Sequence, residues 1–325
     1  MPEREVYQQH VEEKEVTPDG SDQLRGEVSE RQFEKSTAHD ERVRRDQEAA
    51  ENVRALLNGA EATPISPEER RQNLVAYQEK YLPEHVEKPS RIGKAAARVA
   101  GWWMALQEKM GRMKVEGREN VPVEGPCLIV SNHFGGETGK LLGLFSDRPP
   151  HVVAGEELNW KKSRLRAWVL RKLGMLSVKE SLANLSDVEK TALLARVSPQ
   201  ARAGYEAVVE RERSGGSPAN LSFVHGTVAA LTRGDRVAFF PEGLFLYGQK
   251  LELHRAYPGV ELIAKEFERL TGQPLPILPV GIERNRVGVG AATRVPEAVE
   301  EERAVDHIMR QVAAQLPEEQ RGAYR

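Results

Sequence analysis

Pro126-Cys127-Leu128-Ile129-Val130 runs directly into Ser131-Asn132-His133-Phe134-Gly135-Gly136-Glu137-Thr138. A short, continuous apolar run that breaks into polar and glycine residues fits a strand buried on both faces. A helix is expected from near Gly136 through Leu144. About a hundred residues later, Val237-Ala238-Phe239-Phe240-Pro241-Glu242-Gly243 repeats the same form. Open α/β sheets gather ligands in the crevice beyond the C-terminal ends of their strands. A histidine presented there is placed to act as a general base. The two motifs carry more information as an ordered pair than singly.

Working outward, strands are expected at His151–Ala154, within Gly174–Val178, at Arg236–Phe240 and at Leu275–Ile282. Helices are expected over Trp160–Leu173, Val224–Leu231, Val260–Leu270 and Pro296–Leu316. Gly117–Gly125 reads as a turn region. Leu185–Arg213 reads as a charged helix, followed by the flexible break Ser214-Gly215-Gly216-Ser217-Pro218. Strands alternating with helices give an α/β class. No internal repeat is visible.

Of 325 residues, 39% are hydrophobic, low for a globular chain, and the deficit is local. Residues 1–90 carry 21 acidic and 13 basic side chains, net −8, which leaves +6 on the rest of a chain whose total is −2. Residues 1–28 are polar, unpatterned and expected to be disordered. Glu30–Leu57 is charged and ends at Asn58-Gly59. Ser66-Pro67-Glu68-Glu69 is a helix start, with Ser as N-cap, Pro at N1 and Glu at N3, for a helix reaching about Tyr81. Such marginal helices need a partner surface. Residues 1–90 are therefore expected to be a charged, solvated, partly disordered leader, and 91–325 the folded domain.

The basic body suits an anionic membrane surface, an acidic substrate or nucleic acid, and charge alone does not choose. No nucleic-acid-binding module is recognisable, so that partner is not expected. Cys127 lacks a disulfide partner, which fits a reducing compartment and a small core residue. Met1–Glu5 opens no apolar signal segment, and no run approaches the roughly 18 apolar residues of a membrane span. Any membrane contact is expected to be peripheral.

Arg91–Lys114 differs from the leader before it. Ile92, Ala96, Val99, Trp103, Leu106, Met110 and Met113 fall on one stripe. Arg91, Lys94, Arg98, Lys109 and Arg112 cluster on another face, with Trp102 near the boundary. Two uses of the apolar stripe stand equal here: an interfacial helix on a membrane, or packing on the core.

Several chemistries are excluded. Gly135–Lys140 resembles a phosphate loop, but Phe134 and Leu141 stand where Gly and Ser or Thr are required. There is no Gly-x-Ser-x-Gly elbow. No cluster has metal-ligand spacing, so neither metal nor cofactor is expected.

From about Met113 to Val295 the order of motifs resembles the glycerolipid acyltransferases, the lysophospholipid acyltransferase-like enzymes. Val115–Pro122 followed by Gly125–His133 is similar to that family's first block. Phe240-Pro241-Glu242-Gly243 is similar to the third, and Ala256–Lys265 with Pro274–Ile282 to the fourth. The resemblance implies a mixed central sheet flanked by helices, and transfer of an acyl group from a thioester, acyl-CoA or acyl-carrier protein, to a lipid hydroxyl. It implies His133 as base, assisted by Thr138 or Glu137. It further implies oxyanion stabilisation near Gly135 and Gly136, and acceptor binding by Asn132, Lys179, Pro241, Glu242 and Gly243. The expected setting is cytoplasmic, peripheral on the inner membrane face.

The chain departs from the family at three places. The pattern is His, four residues, Asp, and here position 138 is Thr. Glu137 comes one residue early, about 100° round a regular helix, which makes it a poor substitute unless the turn is irregular. Glu180 stands where the second block ends in a phosphate-binding Arg, and Leu244-Phe245-Leu246 follows the third block. With two phosphate-binding cations gone, an acceptor without phosphate or a more apolar alcohol such as a glycolipid or isoprenoid stands beside a lysophospholipid. The spacing between Glu180 and Phe240 implies an insertion over 185–218. A binding protein that keeps the fold without catalysis is the alternative.

Overall fold

The central apolar run forms the middle strand of the sheet. The computed structural model describes residues 66–85, 89–133, 137–155, 163–178, 202, 206, 221–243, 253, 256–257, 259–296 and 304–325. In chain order the elements are α1 (Pro67–His85), α2 (Arg91–Lys109), β1 (Lys114–Glu116), β2 (Cys127–Ser131), α3 (Glu137–Leu144), β3 (His151–Gly155) and α4 (Arg164–Lys172). They continue as β4 (Leu176–Val178), α5 (Leu221–Thr232), β5 (Arg236–Phe239), α6 (Gly259–Thr271), β6 (Ile277–Ile282), β7 (Arg286–Val289) and α7 (Ala304–Ala314).

The strands form one mixed sheet in the order β1-β7-β6-β2-β5-β3-β4. Every pairing is parallel except β6 with β7. β2 lies between β6 and β5, and all five of its residues are buried. Its alternation sorts two cores. Leu128 and Val130 face α5, α6 and α7, while Cys127 and Ile129 face α2 and α3. The expected mixed sheet flanked by helices is what forms. β1 and β7 lie where no strand was anticipated, β1 just before the expected turn region and β7 beyond Ile282.

α1 starts as its sequence signals: the Ser66 hydroxyl accepts the Glu69 N–H at 3.1 Å. Its partner surface is α5 and α6. Tyr77 is buried, and its hydroxyl lies 2.7 Å from His225 Nδ1. The Tyr81 ring stacks on His225 at 4.5 Å. This helix belongs to the same compact unit as the sheet, Asn52–Arg325, so a boundary at residue 90 cuts through packed structure. The rest of the predicted leader, and the 185–218 insertion apart from Arg202 and Glu206, lie outside the described residues.

At the N-terminal end of the sheet His151 is buried. Its Nδ1 is 2.5 Å from the Gly174 carbonyl and its Nε2 3.2 Å from Asp235 Oδ2. Arg233 Nε donates to the same carboxylate oxygen at 2.6 Å. Burial pushes the Asp235 carboxyl up, but the hydrogen bonds from His151 and Arg233 outweigh it and hold it below its usual range. Its contribution to stability is thus complete above the unfolded value of about 3.9 and disappears as pH falls through the folded value. Asp235→Asn is expected to cost about 1–3 kcal/mol at pH 7. The gap between variant and wild type should shrink toward pH 3, read by thermal unfolding at both pH values.

Candidate active site

β2 ends at Ser131, and the next two residues point their chemistry in different directions. The Asn132 side chain is buried and completes the sheet: Oδ1 accepts the Ile282 N–H at 2.7 Å, and Nδ2 donates to the Ile282 carbonyl at 2.9 Å. It imitates a further strand residue pairing with β6. Both amide groups are thus used in pairing with β6.

His133 follows, with its side chain 27% exposed. Its Nδ1 stands 3.0 Å from Oε1 of Glu137, whose side chain is only 6% exposed. Glu137, expected to serve poorly unless the turn is irregular, thus stands against the imidazole. Glu137 is the first residue of α3. It comes one residue earlier than the family's Asp and is one methylene longer, and the extra reach makes up the difference. Thr138 is half-buried.

The second motif is tied to the first. The His133 backbone N–H donates to Glu242 Oε1 at 2.9 Å, and Glu242 is buried. The carboxylate implied to bind the acceptor thus holds the His133 main chain. Pro241 is buried in the turn after β5, and the Phe240 ring lies 5.0 Å from the His133 ring. Gly243 closes that turn: its N–H donates to the Phe240 carbonyl at 3.0 Å. With φ at +70° and a would-be Cβ 2.8 Å from the Tyr257 ring, only glycine fits there. Tyr257 N–H in turn donates to the Pro241 carbonyl at 2.8 Å. Gly135, Gly136 and Lys179 lie outside the described residues.

One contributor had no sequence signal of its own. Lys140, half-buried on α3, donates through Nζ to the Glu283 carbonyl just beyond β6. Desolvation lowers its ammonium from the usual value, while Glu137 and Glu283 act to raise it. Among the described residues no group of three or more His, Cys, Asp or Glu side chains is arranged to hold a metal ion.

Taken together, a histidine sits at a strand end with one nitrogen on a buried carboxylate. Its other nitrogen, Nε2, has the chemistry to take a proton. A carboxylate on Nδ1 fixes the tautomer and stabilises the imidazolium as it forms.

The crystal structure of the 1-acyl-sn-glycerophosphate (LPA) acyltransferase PlsC from Thermotoga maritima is similar to this chain at 14% identity. The similarity covers 80% of this chain and 85% of that one, with a TM-score of 0.39. No curated protein matches. The Acyltransferase family model matches residues 112–283, more than half of the chain, and both motifs fall inside it. The protein belongs to the acyltransferase family.

Proposed function

We propose that the protein moves a fatty acyl group from an acyl thioester, acyl-CoA or acyl-carrier protein, to the hydroxyl of a lysophospholipid or other lipid alcohol at a membrane surface. The observation that carries the reading is the 3.0 Å approach of Glu137 to His133 Nδ1. The acceptor oxygen attacks the thioester carbonyl as its proton passes to His133 Nε2. The C–O bond forms, the C–S bond breaks, and the imidazolium returns the proton to the departing thiolate. Glu137 stabilises the charged ring meanwhile, which favours catalysis over a scaffold role. Backbone amides near Gly135 and Gly136 are assigned to the carbonyl oxygen.

The membrane setting draws support from α2. Its buried face is made of small residues, Gly93 and Ala97, with Met104. A Cβ at Gly143 of α3 would stand 2.9 Å from Met104, so the two helices pack closely. Of the predicted apolar stripe, Ile92, Val99, Trp103 and Met110 are left outside, as is Trp102 beside it, while Met113 packs on the core. Trp102 is 65% and Trp103 51% exposed, and on α4 Leu165 is 72% and Trp168 47% exposed. Ser90 joins the helices, accepting the Gly93 N–H and donating to the Lys172 carbonyl. Arg91, Lys94, Arg98, Arg164 and Arg171 are exposed on the same two helices. Tryptophan beside cations is the composition of an interfacial surface. No helix among the described residues is long and apolar enough to cross a membrane. Replacing Trp102, Trp103 and Trp168 together by Ala is expected to weaken binding to anionic vesicles roughly a hundredfold, measured by co-sedimentation.

The test of function is transfer of radiolabelled acyl groups from each donor to a total-lipid extract, with His133→Ala in parallel. A labelled lipid made by wild type alone supports the reading and identifies the acceptor. Folded, vesicle-binding protein that labels nothing from either donor overturns it.

A further inference from the structure

We infer that Tyr324 is a positioning residue for the base: its hydroxyl latches the segment that carries Tyr257, and Tyr257 holds the turn whose Glu242 fixes the His133 main chain. This rests on His133 being the general base. Tyr324 lies in a single turn of 3₁₀ helix, Gly322–Tyr324, and is buried. Its hydroxyl accepts the Ala256 N–H at 2.8 Å and donates to Asp306 Oδ1 on α7 at 3.1 Å. The hydroxyl thus ties Ala256 to α7 through both its accepting and its donating capacity.

Each further link is also a direct contact. Leu253 is held on its main chain by the residues before Tyr324: its N–H donates to the Gln320 carbonyl at 2.9 Å, and its carbonyl accepts the Ala323 N–H at 3.0 Å. Leu253 and Ala256 are both buried. Peptide units are planar, so only φ and ψ of Ala256 separate its own N–H from that of Tyr257. The Tyr257 N–H donates to the Pro241 carbonyl at 2.8 Å, and the Tyr257 ring closes against Gly243, leaving no room for a Cβ. Glu242 stands between those two contacts and accepts the His133 N–H at 2.9 Å. A turn held on both sides of Glu242 sets where the carboxylate stands, and with it the His133 main chain. A misplacement of about 1 Å at a catalytic group is enough to slow a reaction roughly a hundredfold. The main-chain bonds of Leu253 do not depend on any side chain. The Tyr324 hydroxyl is therefore the separable part of the latch, and phenylalanine removes it while filling the same space.

Amide hydrogen exchange at single-residue resolution reads the latch without any substrate. Full-length wild type, Tyr324→Phe and Tyr77→Phe are compared. Tyr77→Phe is the control: it deletes another buried tyrosine hydroxyl, one that bonds His225 on α5 and touches no part of the turn. In Tyr324→Phe the His133, Gly243 and Tyr257 amides are expected to exchange about tenfold faster or more, relative to the β2 amides of Leu128, Ile129 and Val130. Tyr77→Phe should leave that ratio as in wild type. On the acceptor found in the labelling screen, Tyr324→Phe should lower kcat about tenfold with KM unchanged within about twofold. Asp306→Ala, which frees the hydroxyl from α7, serves by the same criteria where Tyr324→Phe does not fold. Exchange at the three amides no faster than in Tyr77→Phe overturns the proposal, even if the melting temperature falls. A loosened turn with wild-type kcat overturns it as well. Should wild type transfer no acyl group at all, the reading of function fails, while the exchange rates still decide whether Tyr324 holds the turn.

Discussion

His133→Ala is expected to abolish acyl transfer and to leave the protein folded. Loss of a positioned general base costs typically 10²- to 10⁴-fold, so residual turnover should fall to the background of the labelling assay. The alternative role for this residue, a hydrogen-bonded cap at the start of α3, predicts a different outcome. A cap works through its side chain, and its loss costs about 1 kcal/mol. Here the structural hydrogen bond is made by the main chain, from the His133 N–H to Glu242, and alanine keeps it. The side chain itself touches the Glu137 carboxylate and the Phe240 ring at a partly exposed position. A melting temperature within a few degrees of wild type, with activity gone, is the expected pair of readings. Activity near wild type in the variant would remove His133 from the mechanism.

The second large effect separates positions 137 and 138. Glu137→Gln retains shape and a hydrogen-bonding oxygen but cannot stabilise the imidazolium. By analogy with loss of the carboxylate in serine-hydrolase triads, kcat should drop about 10²- to 10⁴-fold with little change in KM. Thr138→Asp, which restores the family's spacing, should not raise turnover more than about twofold. His133 Nδ1 already stands against Glu137, and a second carboxylate beside the first adds like-charge repulsion. An increase of tenfold or more in Thr138→Asp, or a fully active Glu137→Gln, would show that the carboxylate on the histidine has been misassigned. Steady-state kinetics of both variants on the acceptor found in the labelling screen decide it.

The central strand and the two motif-bearing turns were legible because they are locally overdetermined. β2 reads as an unbroken apolar run because it is buried on both faces. His133, Glu242 and Gly243 stand at strand ends that turn chemistry alone marks. β1 and β7 were not legible. They hold three and four residues, and their pairing with each other and with β6 is what makes them strands. β7, Arg286-Val287-Gly288-Val289, offers only two apolar side chains to a pattern search.

What the amino-acid sequence determined by itself was the α/β class, the order of the motifs and the histidine that anchors them, since all three follow from local composition and spacing. Tertiary structure decided the roles. The resemblance implied Asn132 and Glu242 as binding residues, and in the fold both side chains hydrogen-bond the backbone. Glu137 and Thr138 are adjacent candidates, and only the fold shows that Glu137 is the one against His133 Nδ1. The α2 stripe announced an apolar face without saying what covers it. Glycine and alanine on another face let α3 approach closely, and the tryptophans were left outside. Periodicity records that a face is apolar, whereas its partner is set by backbone approach between elements distant in the chain.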